Sequence, residues 1–332
     1  MLCAGMKRRT SKHLFVISLG CGLAFLQPAI ARSVENYPSK PVRLIVPFAP
    51  GGNVDIVTRV IARKLAENIG QQVVVDNRAG AGGVIGTELA ARAPSDGYTL
   101  VMVTASHLTN PGLRKLPYDT EKDFAPVSVV VDVPVILVVH PSLPVRTVAE
   151  LIALAKAKPG ALNFGSGGAG TGAHLAAELL KSAAKVNIVH IPYKGIGLAL
   201  VDLLGGQIQM MFSAMPSVMP HVRQSRLRAL GVAAAKRVPA LPDLPTIGEI
   251  GVPNVEASVS FTLLAPAATP KKTIAYLNKE IVKTLGAPET SERLVSEGAI
   301  PVGSSPDEAA RFVTSEIARW SRITKTLGLR LD

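Results

Sequence analysis

Cysteine is almost missing from this chain of 332 residues: there are two, Cys3 and Cys21, and both fall within the first 31. Without that stretch the chain has no thiol, which excludes disulfides, thiolate nucleophiles and cysteine-built metal sites together. Aromatic residues make up 4%, with one tryptophan, so there is little on which to stack the bases of a nucleic-acid strand. After residue 31 no uncharged apolar run reaches the 20 or so residues that a membrane span needs. Six histidines include His13 in the opening stretch; His107, His140, His174, His190 and His221 show no metal-ligand spacing. Neither a metal nor a cofactor is expected.

The opening stretch has a grammar of its own. Lys7, Arg8, Arg9 and Lys12 precede an apolar run at 14–26, and Ala29-Ile30-Ala31 forms a small-x-small cleavage signal. This predicts a secretory signal peptide over 1–31 and a soluble mature chain in the periplasm. Arg8-Arg9 hints at a twin-arginine signal and Ser18-Leu19-Gly20-Cys21 at a lipoprotein site, but the downstream small-x-small site reads better. Cleavage would remove four of the twelve net positive charges, leaving +8. The remaining Lys and Arg are scattered over helices, with Arg223, Arg226 and Arg228 the densest group. No nucleic-acid groove is implied; a positive field speeds the arrival of anions.

A strand, a Gly-rich turn and an amphipathic helix recur along the rest. Residues 42–48 are apolar, Pro50-Gly51-Gly52 follows, and then Val54, Val57, Val60, Ile61, Leu65 and Ile69 return at helical spacing. Similar patterns predict strands at 72–75, 98–103, 162–164, 186–191, 208–212 and 227–232. They predict helices at 84–91, 147–157, 171–184, 196–204, 271–285 and 306–326. Alternation of this kind argues for open α/β sheets. A β-branched stretch at 127–139 and a second at 261–265 look long enough to cross between two lobes. The expected division is 37–136 plus 257–332 for the first lobe and 137–256 for the second. A ligand cleft would lie between them, where loops at strand ends meet.

Four turns place glycines and small hydroxyl residues at helix starts: 50–55, 80–83, 165–171 and 193–197. A helix N-terminus offers unpaired N–H groups and partial positive charge, and glycine lets an anion come close. The same residues also serve as ordinary caps. Gly165, Gly167 and Gly170 match a dinucleotide fingerprint in form, but 185–195 has no acid to hold a ribose. Phe164 replaces the first glycine of a hydrolase elbow around Ser166. His174 reads better as a cap or cleft-wall residue than as a general base.

These turns carry a resemblance. Pro47 through Asp55, Leu116-Pro117-Tyr118-Asp119, Ser166 through Thr171 with His174, His190 through Gly195, Gly205-Gly206-Gln207 and Pro245-Thr246 together resemble the Bug family. Its members are the substrate-binding proteins of tripartite tricarboxylate transporters. The resemblance implies an α/β, two-lobed, periplasmic-binding-protein-like (Venus flytrap) fold that closes over a small carboxylate. First-lobe ligand contacts would come from Gly52, Asn53, Val54, Asp55, Thr104, Ala105, Ser106 and His107. The second lobe would add Ser166, Thr171, His174, Tyr193 and the position of Ser213. Ser213 stands where relatives often have Asp, which points away from an amino acid and toward a plain carboxylic acid. Ser260 and Thr262 stand where Trp and Gly are common, and Asn53 where a smaller residue is. The expected partners are membrane transporter subunits, or alternatively a sensor kinase, with the receptor itself a monomer. A cleft enzyme, hydrolase or nucleotide-dependent, is the less favoured class.

Overall fold

One strand of 16 residues organises the molecule. The computed structural model describes residues 37–330 apart from positions 239 and 254, so the expected leader lies outside the described residues. In chain order the first elements are β1 (Val42–Val46), α1 (Asn53–Ile69), β2 (Val73–Asn77), α2 (Val84–Ala91), β3 (Thr99–Val103) and α3 (Ala105–Thr109). The long strand β4 (Phe124–Val139) follows. Next come α4 (Val148–Ala157), β5 (Asn163–Ser166), α5 (Gly172–Ala184), β6 (Val189–Pro192), α6 (Ile196–Leu204), β7 (Met210–Ala214), α7 (Met215–Arg223) and β8 (Arg228–Val232). The chain finishes with β9 (Ser258–Pro266), α8 (Lys271–Gly286), α9 (Pro288–Ser296), β10 (Ile300–Pro301) and α10 (Pro306–Thr326).

The β-branched run of β4 is buried along nearly its whole length, as suits a strand covered on both faces. From Phe124 to Pro134 it pairs antiparallel with β9, and from Val135 to Val139 with β7 and β8. The partners change beside Pro134, which has no N–H to give a ladder. On one side the order is β2-β1-β3-β9-β4 and on the other β4-β7-β5-β6, with β1, β2 and β3 parallel and β5, β6 and β7 parallel. The chain returns at Ala257, whose N–H donates to Ala233, while the next residue, Ser258, pairs with Pro134. Two sheets with helices packed on them thus share β4, and the fold is the two-lobed α/β class expected.

Helices cover both sheets through apolar stripes. In α1, Val54, Val57, Ile61, Leu65 and Ile69 are buried, and Gly70 closes the helix in the left-handed conformation at φ 66°. Ser305 and Glu308 form a capping box at the start of α10. Trp320 of α10 belongs to one buried cluster with Leu108 of α3 and Leu175 of α5, a cluster that draws on both halves. Three elements escaped the sequence reading. Helix α7 contains Pro216 and Pro220, which read as breakers although Pro216 sits in its first turn, where no N–H is needed. Helix α9 also opens on a proline, and β10 has only 2 residues. Residues 105–109, for which the sequence reading gave no helix, form a short helix capped by Thr104.

Candidate functional site

Where the two halves face each other, the carboxyl ends of β1, β3, β5, β6 and β7 bring their loops around one cavity. Phe48, Gly52, Asn53, Val54 and Thr104 line it from one half, and Val259 of β9 joins them. Gly167, Thr171, Gly172, Ala173, Ile196 and Ala214 line it from the other. No Asp, Glu, Lys, Arg or His is in this lining. Helices α1, α5 and α6 begin at the wall, with Gly52, Thr171 and Gly195 as their N-caps. Among the described residues the amides of Gly52, Asn53, Gly172 and Ala173 have no hydrogen-bond acceptor. Unpaired amides at helix starts favour negative charge. With no lining cation to compete, that role falls to the backbone.

Of the residues predicted from sequence, Gly52, Asn53, Val54, Thr104 and Thr171 lie in the lining. The others lie behind it. Asp55, in the first turn of α1, accepts from the Gly51 amide, from Asn77 Nδ2 and from Arg59 Nε, each at 3.0 Å. Burial alone would push its carboxyl up, but the Arg59, Gly51 and Asn77 hydrogen bonds and the Arg59 charge hold it below the usual carboxylate value. Ala105 and Ser106 are buried in α3, with Ser106 Oγ 3.3 Å from Thr104 Oγ1. His107 turns away: its Nε2 is 3.1 Å from the Thr120 carbonyl and its ring lies among Tyr118 and Phe124. Burial pushes it down to about 4. Tyr193 donates to Asp202 at 2.6 Å, and burial together with that bond raises its hydroxyl to about 12. Ser213 is fully buried and donates to the Ala214 carbonyl at 3.0 Å.

Ser166, His174 and His190 hold the loop that leads into α5. Ser166 Oγ is 2.7 Å from His190 Nε2 and bonds both the carbonyl and the amide of Gly168. His174 Nδ1 accepts from the Gly170 amide at 3.2 Å, and Thr171 Oγ1 accepts from the His174 amide at 3.4 Å. The two imidazoles stack with ring centroids 4.2 Å apart, beside Phe164. Burial and the Lys181 charge bring His174 down to about 4. Burial, His174 and Lys181 bring His190 to about 3, against an opposing pull from Glu178. Both rings are therefore neutral. Among the described residues no set of three His, Cys, Asp or Glu is arranged for a metal.

The loop braced in this way is also where the halves touch. Thr109 Oγ1 donates to the Gly170 carbonyl and Arg114 Nη2 to the Ala169 carbonyl at 3.3 Å. Gly82, at φ 63°, approaches so closely that a Cβ there would lie 2.7 Å from the Ala169 oxygen. On the far side of the cavity a Cβ on Gly52 would be 3.3 Å from Ile196 Cγ2, and one on Gly197 3.2 Å from the Pro50 oxygen. The halves thus meet at both sets of loops.

Lining residues absent from the sequence-based set are Phe48, Gly167, Gly172, Ala173, Ile196, Ala214 and Val259. Most adjoin the glycine turns already singled out. Val259 had a weaker signal, its place beside the second crossing strand.

Residues 57–329 match the tripartite tricarboxylate transporter family receptor, TctC. BugT of Bordetella pertussis is 41% identical over 318 residues, which cover 94% of this chain and 97% of that protein. Among solved structures, the periplasmic binding protein BugD is 35% identical with a TM-score of 0.86, over 89% of this chain and 99% of the other. A Rhodopseudomonas palustris protein with adipate is 40% identical with a TM-score of 0.86, over 89% and 99%. MatC of the same organism, with bound malate, is 32% identical with a TM-score of 0.83, over 86% and 99%.

Proposed function

This chain belongs to the tripartite tricarboxylate transporter receptor family, and from that premise we propose that its cavity captures a small carboxylate in the periplasm for delivery to membrane transporter subunits. The observation that carries the reading is the wall of unpaired amides contributed by both halves, with no ionisable side chain beside them. A hydrogen bond to a charged group is worth about 1.5–3 kcal/mol. Two amides on one half supply at most about 6 kcal/mol, whereas micromolar affinity needs about 8 kcal/mol even before the losses on association are counted. The amides at α1 and those at α5 together therefore come much nearer to it than either pair alone. A ligand that reaches both favours the closed arrangement, and closure is the state that a membrane partner reads.

The expected division, 37–136 plus 257–332 against 137–256, fits this scheme, because each half then supplies one set of amides. No turnover is proposed. Ser166 and His190 form a close pair, but among the described residues no carboxylate bonds His190 and neither residue reaches the lining. In this reading residues 1–31 are cleaved on export, the receptor acts as a monomer, and it takes no nucleic acid. Among the described residues no helix is long and apolar enough to cross a membrane.

A thermal-shift screen against mono-, di- and aromatic carboxylates tests the proposal. A ligand at 100 times its dissociation constant adds about 2.7 kcal/mol of stability. If no carboxylate raises the melting temperature, the cavity has been misread.

A further inference from the structure

Beyond its amides, the cavity offers a ligand very little to hydrogen-bond. Three lining side chains are polar: Asn53, Thr104 and Thr171. Thr104 Oγ1 accepts from the Ser106 amide and pairs with Ser106 Oγ. Thr171 Oγ1 donates to the Gly168 carbonyl at 2.8 Å and accepts from the His174 amide. Both hydroxyls are engaged within their own turns, although the Thr104–Ser106 bond uses only one of that pair's two hydrogens. Asn53 Oδ1 accepts from the Val54 amide at 2.8 Å, which leaves its Nδ2 as a lining side-chain donor without a partner among the described residues. That donor belongs to the same residue as a free amide of α1, so it serves a carboxylate oxygen. The polar groups just behind the wall are committed too: Ser166 to Gly168 and His190, Ser213 to Ala214, Tyr193 to Asp202, and Asp55 to Gly51, Asn77 and Arg59. The rest of the lining consists of glycines and of Phe48, Val54, Ala173, Ile196, Ala214 and Val259.

An ammonium in this cavity would find no carboxylate. A hydroxyl would find mainly hydrocarbon, because the lining side chains able to pair with it are few: Asn53, which lies beside the free α1 amide, and Thr104 and Thr171, each already bonded within its own turn. We propose that the ligand is a carboxylic acid whose body between or beyond its acid groups is bare hydrocarbon, with neither a hydroxyl nor an amino group. The inference rests on the carboxylate reading above and narrows it to a class. Discrimination comes from the lining's failure to replace the water that a hydroxyl or ammonium must leave behind. Apolar pockets reject an added hydroxyl only moderately, so the margin is roughly 10–100-fold.

The test is calorimetric titration of the purified chain, unfolded and refolded beforehand to strip any carried-over solute. Butanoate, succinate, glutarate, adipate and benzoate are ranked first. The tightest is then compared with its hydroxylated and, for the aliphatic acids, aminated counterpart of equal length, such as malate and aspartate for succinate. The expected result is binding at least about tenfold tighter for the bare acid. Equal or tighter binding of the substituted acid, or binding of substituted acids alone, overturns the inference and leaves the carboxylate reading standing. No heat with any acid of either set overturns both.

Discussion

Gly52 and Asp55 show how single residues shape this site in ways their identities only half disclose. Gly52 has φ −79°, a conformation open to any residue, so its importance is spatial. Its Cβ position lies 3.3 Å from Ile196 Cγ2 across the cavity. Gly52→Val should therefore keep the halves from meeting while leaving each folded. We expect affinity for the best carboxylate to fall by at least about 100-fold, equivalent to about 2.7 kcal/mol; undiminished heat on titration would remove Gly52 from the site. Asp55 was expected beside the ligand as part of the first-lobe loop that the family resemblance implies. It is instead the third residue of α1, and an acid there reaches back over its own helix start, where it fastens Gly51 and Asn77. That habit is readable in principle. The seating of Ser213 and Tyr193 behind the wall is not, since it depends on which partner, Ala214 or Asp202, folds against each.

The turns before α1, α5 and α6 stood out in the sequence because each joins glycine to the start of an apolar helical stripe, and the folded elements begin within a residue or two of the expected places. What could not be read was contact between elements far apart in sequence. The donors in and after α3 that grip the loop before α5, Thr109 and Arg114, have no motif and lie about 60 residues from their acceptors. Thr109→Val keeps the shape of the side chain and removes the donor to Gly170. One hydrogen bond is worth about 0.5–1.5 kcal/mol net, so carboxylate affinity should fall roughly 2–10-fold. Stopped-flow measurement should place the loss in faster dissociation, the phase in which the halves separate; an unchanged off-rate would show that this contact does not hold them together.

The molecule as a whole holds three neutral imidazoles, the buried His107 in one half and in the other the buried His174 stacked on the half-buried His190. Burial is the leading cause in each, holding His107 and His174 at about 4 and His190 at about 3, below the ordinary 6.5. Below about pH 6.5 the unfolded chain takes up protons that the folded chain refuses, so stability drains away as pH drops toward about 4. Asp55 adds to the loss at still lower pH, as protonation releases Arg59, Gly51 and Asn77. Melting temperature should therefore decline steadily from about pH 6.5 to about pH 4. A flat profile would mean that these rings are accessible to solvent.

The sharing of β4 sets the character of any opening motion. Its ladder passes from β9 to β7 and β8 without leaving the strand, and the returning chain crosses alongside at Ala257 and Ser258. Two adjacent, hydrogen-bonded rails offer no slack thread on which the halves could tumble, so they are confined to bending and torsion about that pair. Each half then meets the other along the same narrow path, and a docking partner is offered a shape that varies only by that bending and torsion.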